Sequence, residues 1–449
     1  MHDYIEKVIA EVKRENAAEP EFIQTVEEVL RSLEPAIQQH PEYVKANILG
    51  RLVEPERMIS FRVSWIDDNG DVQINRGYRV QFNIDIGPYK GGLRFHPTVY
   101  SGIVKFLGFE QIFKNALTGL PIGGGKGGSN FNPRGKSDGE VMRFCQAFMT
   151  ELYRHIGSSM DVPAGDIGVG SRELGYLFGQ YKRIRDTFGG GVLTGKSTEY
   201  GGSLIRPEST GFGAVYFAKQ MLEHEGTSFE GKVVALTGYG NVTWGAALKI
   251  TELGGKVVTI SGSDGYVYDP DGIEGEKIDY LLEMRLKNTG AKAYADKYPS
   301  AVFYPGEKPW GKVPDVDIYM PCATQNEIGL AEAKAIAAQG VRYLVEVSNM
   351  PCTNEAIACL MDNGVLMAPS KAVNAGGVAV SALEMSQNAI HLFWSAEEVD
   401  GHLYEIMKNI HDNSADAAEK YGLGYNLMAG ANLAGFDRIA EAMYQQGVV

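Results

Sequence analysis

Lys126 stands in the segment PIGGGKGGSNFNP, with three glycines before it and two after. Glycine costs backbone entropy and supplies no packing. A run of this kind requires either a very close approach to the backbone or access to the lysine itself. The segment is not a phosphate-binding P-loop, because Leu120 stands where the first glycine is required and Gly127 follows the lysine in place of Ser or Thr. Two more lysines and a glutamine lie upstream. Lys90 sits in PYKGGLRF beside Gly91 and Gly92. Gln111 and Lys114, three residues apart, share a face of a helix expected over TVYSGIVKFLGFEQIFKNALTG. Each alone has a plain reading: Lys114 paired with Glu110 on a solvated face, Lys90 as an ordinary loop charge. Together they suit one site. Three lysines around one cleft hold a small dianion, and like charges depress one another's pKa, which readies one of them as a general base. A carboxylate is then needed for complementary proton transfer. Asp166 in PAGDIG is the natural choice; Asp161 competes, and spacing does not decide between them.

A second constellation follows the change of texture near residue 200. KVVALTGYGNVTWGAALKITELGGKVVTISGSDG has the order strand, glycine turn, helix, strand, a βαβ unit with parallel strands. Gly238 and Gly240 fall in the turn, where a dinucleotide's pyrophosphate approaches a helix N-terminus. The third fingerprint position is Thr243 rather than a small residue. The end of the second strand, where the ribose is read, carries Ser263 and Asp264. Asp264 favours a free 2′-hydroxyl, whereas Ser263 and nearby Arg285 tolerate a 2′-phosphate.

The surrounding elements read as follows. EPEFIQTVEEVLRSLEPAIQQHP carries a helical stripe at Phe22, Val26, Val29, Leu33 and Ile37, ended or kinked at Pro35. Phe61, Val63 and Trp65 alternate with polar residues before an Asn69-Gly70 hairpin turn. Ser137 and Glu140 form a capping box ahead of another helix. The glycine-rich lysine segment and DVPAGDIGVG both read as loops by composition. After residue 300, short apolar strands alternate with helical patterns, and the chain ends helical from about Glu398.

The bulk properties set bounds. The 449 residues suffice for two or three domains. The formal charge of −14 disfavours nonspecific nucleic-acid or anionic-membrane binding. The N-terminus is too polar for a signal peptide, and no apolar stretch spans a membrane. Four scattered cysteines fit reduced thiols in a cytoplasm and show no paired zinc spacing, so no metal is expected.

The motifs PYKGGLRFHP, LPIGGGKGGS, DVPAGDIGVG, RPESTGFG, GYGNV and KAVNAGGVAVSALEMSQN stand in the order found in hexameric glutamate dehydrogenases, and the chain resembles that family over nearly its whole length. The resemblance implies an α/β protein of two domains. Residues 1–200 would form a substrate-binding and oligomerisation domain and 201–424 a Rossmann-type dinucleotide-binding domain, with a C-terminal helix, 425–449, packing back on the first. It implies reversible oxidative deamination of L-glutamate to 2-oxoglutarate and ammonium with NAD(P), leaning to NADP, in a homohexamer. By resemblance, Lys126 is catalytic and Asp166 shuttles a proton to and from the substrate nitrogen. Lys90 would hold the γ-carboxylate, Lys114 and Gln111 the α-carboxylate. Gly165 and Ser381 would contact substrate; Thr210, Asn241, Asn349 and Asn374 would contact coenzyme. The glycines around Lys126 are then expected to let substrate and nicotinamide approach it. Relatives acting on leucine or phenylalanine lack a lysine at the γ-carboxylate position, so Lys90 argues for glutamate. A catalytically dead dinucleotide-binding regulator would lack Lys126 or Asp166; both are present.

Overall fold

The computed structural model describes residues 2–287 and 289–448. The chain divides into two compact units. One comprises Met1–Leu204, Val378–Val399 and Asn432–Val449; the other comprises Ile205–Gly377 and Asp400–Ala431. Residues 378–399, placed with the dinucleotide domain in the sequence reading, group instead with the first unit. The helix Gly376–Ile390 runs across that seam, so no turn or change of composition marks it.

The first unit is built on a five-stranded mixed sheet: β1 (Arg57–Ile66), β2 (Val72–Asn83), β3 (Tyr89–Phe95), β4 (Gly123–Ser129) and β5 (Asp161–Gly165), in the order β1-β2-β4-β3-β5. β1 and β2 form the expected hairpin, with Ile66 opposite Val72 and Gly70 at φ 88° in the turn. β4 pairs antiparallel with β2 and parallel with β3, which pairs parallel with β5. Two segments read as loops are therefore strands. In β4 all seven residues are buried, and the DVPAG half of DVPAGDIGVG is β5.

The physical reason lies in what surrounds those glycines. A Cβ on Gly124 would lie 2.5 Å from Ile112 Cγ1, and one on Gly127 would lie 2.7 Å from Leu93 Cδ2. The bare strand lets the helix Ser101–Leu117 settle directly on the sheet. Burial and ladder pairing override the weak strand preference of glycine. Phe22, Val26, Val29, Leu33 and Ile37 are all buried, and the helix carrying the first three stops at Ser32, ahead of Pro35. Ser137 and Glu140 close their capping box on the helix Asp138–Leu152, where Phe144 stacks on Phe131 at 3.7 Å.

The second unit holds a seven-stranded sheet: β6 (Val233–Leu236), β7 (Lys256–Gly262), β8 (Gly265–Tyr268), β9 (Val302–Pro305), β10 (Ile318–Met320), β11 (Tyr343–Val345) and β12 (Leu366–Ala368). The order is β12-β11-β10-β6-β7-β8-β9. The strands from β12 to β7 are parallel, and β8 and β9 add an antiparallel edge. The order reverses at β6, between β7 and β10, the topological switch point where such sheets take ligands. Among the described residues, no helix is long and apolar enough to cross a membrane.

Candidate functional site

In the first unit, the pairing register sets the site. Lys90 lies opposite Gly124, and Leu93 opposite both Gly127 and Gly165, so Lys126 falls one row to one side of Leu93 and Arg94 and Asp166 one row to the other, a two-row spacing that puts them on the same face. Asp166 opens a tight turn just beyond β5, closed by the Val169 N–H donating to the Asp166 carbonyl at 2.9 Å with Gly168 at φ 74°. Its Oδ1 is 3.2 Å from Lys126 Nζ, and its Oδ2 accepts from Arg94 Nε at 2.6 Å. A cavity of about 460 Å³ borders Asp166 and Gly168.

The two aspartates differ in their partners. Asp161 is wholly buried, accepting from Arg79 Nε at 2.9 Å and from Gln81 Nε2 at 3.1 Å, while Arg79 also donates to the Gly91 carbonyl at 3.0 Å. Its acceptors are consumed by β2, so it ties the sheet together. Asp166 is the carboxylate beside Lys126.

Burial depresses the Lys126 pKa most strongly; Asp166 opposes the shift, and Arg94 and Arg79 add to it. Desolvation, not lysine–lysine repulsion, thus has the largest part in depressing the Lys126 pKa. Burial also works against ionisation of Asp166, but Lys126 and Arg94 outweigh it and hold the carboxyl at about 2. Asp166 therefore stabilises the fold fully above about pH 4, and that contribution fades as pH falls toward about 2. An expected outcome follows for Arg94, which sequence reasoning missed. Its removal deletes a positive charge next to Lys126, so the Lys126 pKa rises. Arg94→Gln should move the acidic limb of kcat/KM in the deaminating direction, the limb on which a base loses its proton, to higher pH. A pH profile of the purified variant checks this; an unmoved limb contradicts it.

Lys90 is buried, and its carbonyl accepts from Asn115 Nδ2 at 3.0 Å. Gln111 and Lys114 are half-buried on the helix that packs on β4, with Gln111 Nε2 donating to Asn115 Oδ1 at 2.7 Å. Asn115 therefore ties the helix carrying both residues to the Lys90 strand. Ser381 is buried on the helix Gly376–Ile390. That helix is fixed by Glu384, which pairs with Lys196 Nζ at 2.6 Å and accepts the Gly195 N–H at 2.8 Å. The Thr194 N–H in turn donates to the Pro163 carbonyl on β5, two residues from Gly165.

In the second unit, β6 runs into Thr237-Gly238-Tyr239-Gly240 and then the helix Asn241–Glu252. Gly238 has φ 80°, and a Cβ there would meet Thr243 Oγ1 at 2.8 Å. Thr243, the departure from the fingerprint, is buried and donates to the Thr237 carbonyl at 2.8 Å. It closes the turn rather than loosening it. Gly240 faces open space at the helix N-terminus, the setting a pyrophosphate requires. Asn241 accepts from Arg285, and Thr210 lies on the helix Ser209–His224 against Gly377.

Ser263 is exposed. Asp264 accepts the backbone N–H groups of Ala291 at 3.0 Å and Lys292 at 3.2 Å, so its carboxylate caps a short helix. Asn374 Nδ2 donates to Asn349 Oδ1 at 2.9 Å, and Asn374 Oδ1 is buried without a protein partner. An open helix N-terminus behind a left-handed glycine and an orphaned buried acceptor fit a dinucleotide.

Residues 201–447 match the family described as Glutamate/Leucine/Phenylalanine/Valine dehydrogenase, and residues 55–183 match the Glu/Leu/Phe/Val dehydrogenase, dimerisation domain. The chain belongs to the Glu/Leu/Phe/Val dehydrogenase family. It is 61% identical over 451 residues to the NAD-specific glutamate dehydrogenase of Clostridium symbiosum, covering 100% of both chains. It is 53% identical to the NADP-specific glutamate dehydrogenase of Giardia intestinalis over 99% of each. Among solved structures, the glutamate dehydrogenase of Plasmodium falciparum superposes with a TM-score of 0.97 at 48% identity, over 100% of this chain and 95% of that one. NAD-specific relatives are 55–61% identical to this chain and NADP-specific ones 52–53%, so both coenzyme types occur among its relatives.

Proposed function

We propose that this chain is an NAD(P)-dependent glutamate dehydrogenase that interconverts L-glutamate, water and NAD(P)+ with 2-oxoglutarate, ammonium, NAD(P)H and a proton. The observation that carries the reading is a buried lysine with a depressed pKa, 3.2 Å from an ionised aspartate, on a sheet that also buries Lys90. Substrate carboxylates would be held by Lys90 on the γ side and by Lys114 and Gln111 on the α side, with Gly165 and Ser381 completing the contacts. Lys126, in its neutral form, takes a proton from the water that attacks the imine carbon. Asp166 exchanges a proton with the substrate nitrogen. When bound, the coenzyme supplies the hydride acceptor. Gly238, Gly240 and Asn241 would hold its pyrophosphate end, Ser263 and Asp264 would face its adenosine ribose, and Thr210, Asn349 and Asn374 its nicotinamide half.

The first unit serves substrate and assembly in this reading, and the second serves coenzyme. A homohexamer is supported by the family resemblance and by the outer hairpin of the first sheet. There Ile66, Val72 and Ile74 share one face and are all exposed, an apolar patch suited to burial against another copy. Four free cysteines support a cytoplasmic setting.

The test is oxidation of NADH and of NADPH by 2-oxoglutarate and ammonium, with Lys90→Leu alongside. Wild type should turn over with at least one coenzyme. The variant should lose at least about 100-fold in kcat/KM for glutamate, because a buried site loses its charge-assisted contact to a carboxylate, while apolar amino acids gain. A variant that still prefers glutamate removes Lys90 from the γ-carboxylate position.

A further inference from the structure

Directly after β11 stands Glu346, a buried carboxylate with no role in the chemistry above. Its Oε1 accepts the backbone N–H of Cys352 at 3.3 Å, and its Oε2 accepts that of Ser370 at 3.2 Å. These two N–H groups belong to different segments. Cys352 closes the stretch 349–352, in which Met350 is held at φ 47°. Ser370 opens the helix Ser370–Val373. The first segment carries Asn349 and the second runs into Asn374, and the two side chains bond to each other at 2.9 Å. One carboxylate therefore clasps the two segments whose asparagines must keep a fixed spacing.

We propose that Glu346 is a positioning residue for coenzyme binding, its ionised carboxylate holding Asn349 and Asn374 in register through Cys352 and Ser370. This rests on the reading of those two asparagines as coenzyme contacts. An ionised carboxylate offers acceptors on both oxygens, whereas the acid form turns one oxygen into a donor. Facing an N–H group, that oxygen is a poorer acceptor, so protonation weakens one side of the clasp. Burial pushes the Glu346 carboxyl up to about 7, opposed by its bonds to Ser370 and Cys352 and by the charge of Lys371. The titratable groups facing it are the Cys352 thiol and Lys371, and Glu327 acts on the same thiol from the other side. The clasp thus loosens as pH falls through about 7.

Dissociation constants of NADH and NADPH, measured by coenzyme fluorescence without substrate across that range, test this. Wild-type binding should weaken on acidification. Glu346→Gln should bind about tenfold more weakly than wild type at alkaline pH, with little further change on acidification. A Gln variant that keeps both the wild-type affinity and its pH dependence overturns the proposal. So does a wild-type constant flat across neutrality, a measurement that needs no variant. Asn349→Ala and Asn374→Ala separate the premise from the inference. If both bind coenzyme normally, the premise fails. If they weaken binding and the Gln variant does not, only the role of Glu346 fails.

Discussion

Lys126→Met should fold and should not turn over: kcat falls by about 10⁴-fold or more, with the far-ultraviolet spectrum and the assembly state unchanged. Methionine matches the lysine stem in length and fills the same buried slot, so packing survives. Asp166 does not become an uncompensated buried charge, because Arg94 Nε remains 2.6 Å from its other oxygen. Its carboxyl should rise from about 2, since one of the two cations holding it there is gone. Stability gives an independent reading. A lysine whose folded pKa is depressed makes the native state bind fewer protons than the unfolded chain below its ordinary pKa of about 10.5. Wild-type stability therefore carries a cost at neutral pH, relieved as pH rises through the folded value. The difference in Tm between wild type and variant should shrink in the wild type's favour on the alkaline side. A variant retaining a tenth of wild-type kcat would show that Lys126 is not the base.

The chemistry-bearing residues were visible in the sequence because their types are unusual for their surroundings. An isolated lysine among glycines and a Gly-Tyr-Gly turn after an apolar run are local signals. What the sequence withheld is non-local. The Arg79–Asp161 pair joins residues 82 positions apart, and without it Asp161 and Asp166 look equivalent. Arg94 drew no reading from the sequence; the register of β3 against β5, with Leu93 opposite Gly165, is what brings it beside Asp166. Composition misread β4 and β5, because a glycine-rich segment scores as loop unless its neighbours are known to pack onto its bare backbone. Thr243 looked like a defect of the fingerprint, yet its hydroxyl closes the turn. The segment 378–399 begins inside the helix Gly376–Ile390 and ends inside the helix Ala396–Lys420, so no punctuation marks either edge.

Those neighbours also decide why the strand bearing Lys126 is bare. The glycines were expected to admit substrate and nicotinamide; in the structure, protein atoms also stand close to the positions their missing side chains would take. Gly91, on β3 next to Lys90, is the sharpest case. A Cβ there would lie 1.7 Å from the Gly125 carbonyl oxygen and 2.8 Å from its carbon, and neither can rotate away as a side chain can. Relief requires β3 and β4 to part, which breaks the pairing of Lys90 with Gly124 and pulls the Gly91 carbonyl from Arg79. The Arg79–Asp161 pair is fully buried, and disturbing such a pair alone costs about 3–5 kcal/mol. Gly91→Ala should therefore destabilise the first unit by about 5 kcal/mol or more, leaving little folded protein and no activity. Gly179→Ala is the matched comparison. It lies in the helix Ser171–Arg185, has nothing within 4 Å of its Cβ position, and should gain about 0.5–1 kcal/mol from helix propensity. Thermal unfolding of both variants separates the explanations. If Gly91→Ala melts like wild type but loses substrate affinity, the glycines serve ligand access after all. If it fails to fold while Gly179→Ala melts higher, their emptiness is what lets the sheet close around Lys126.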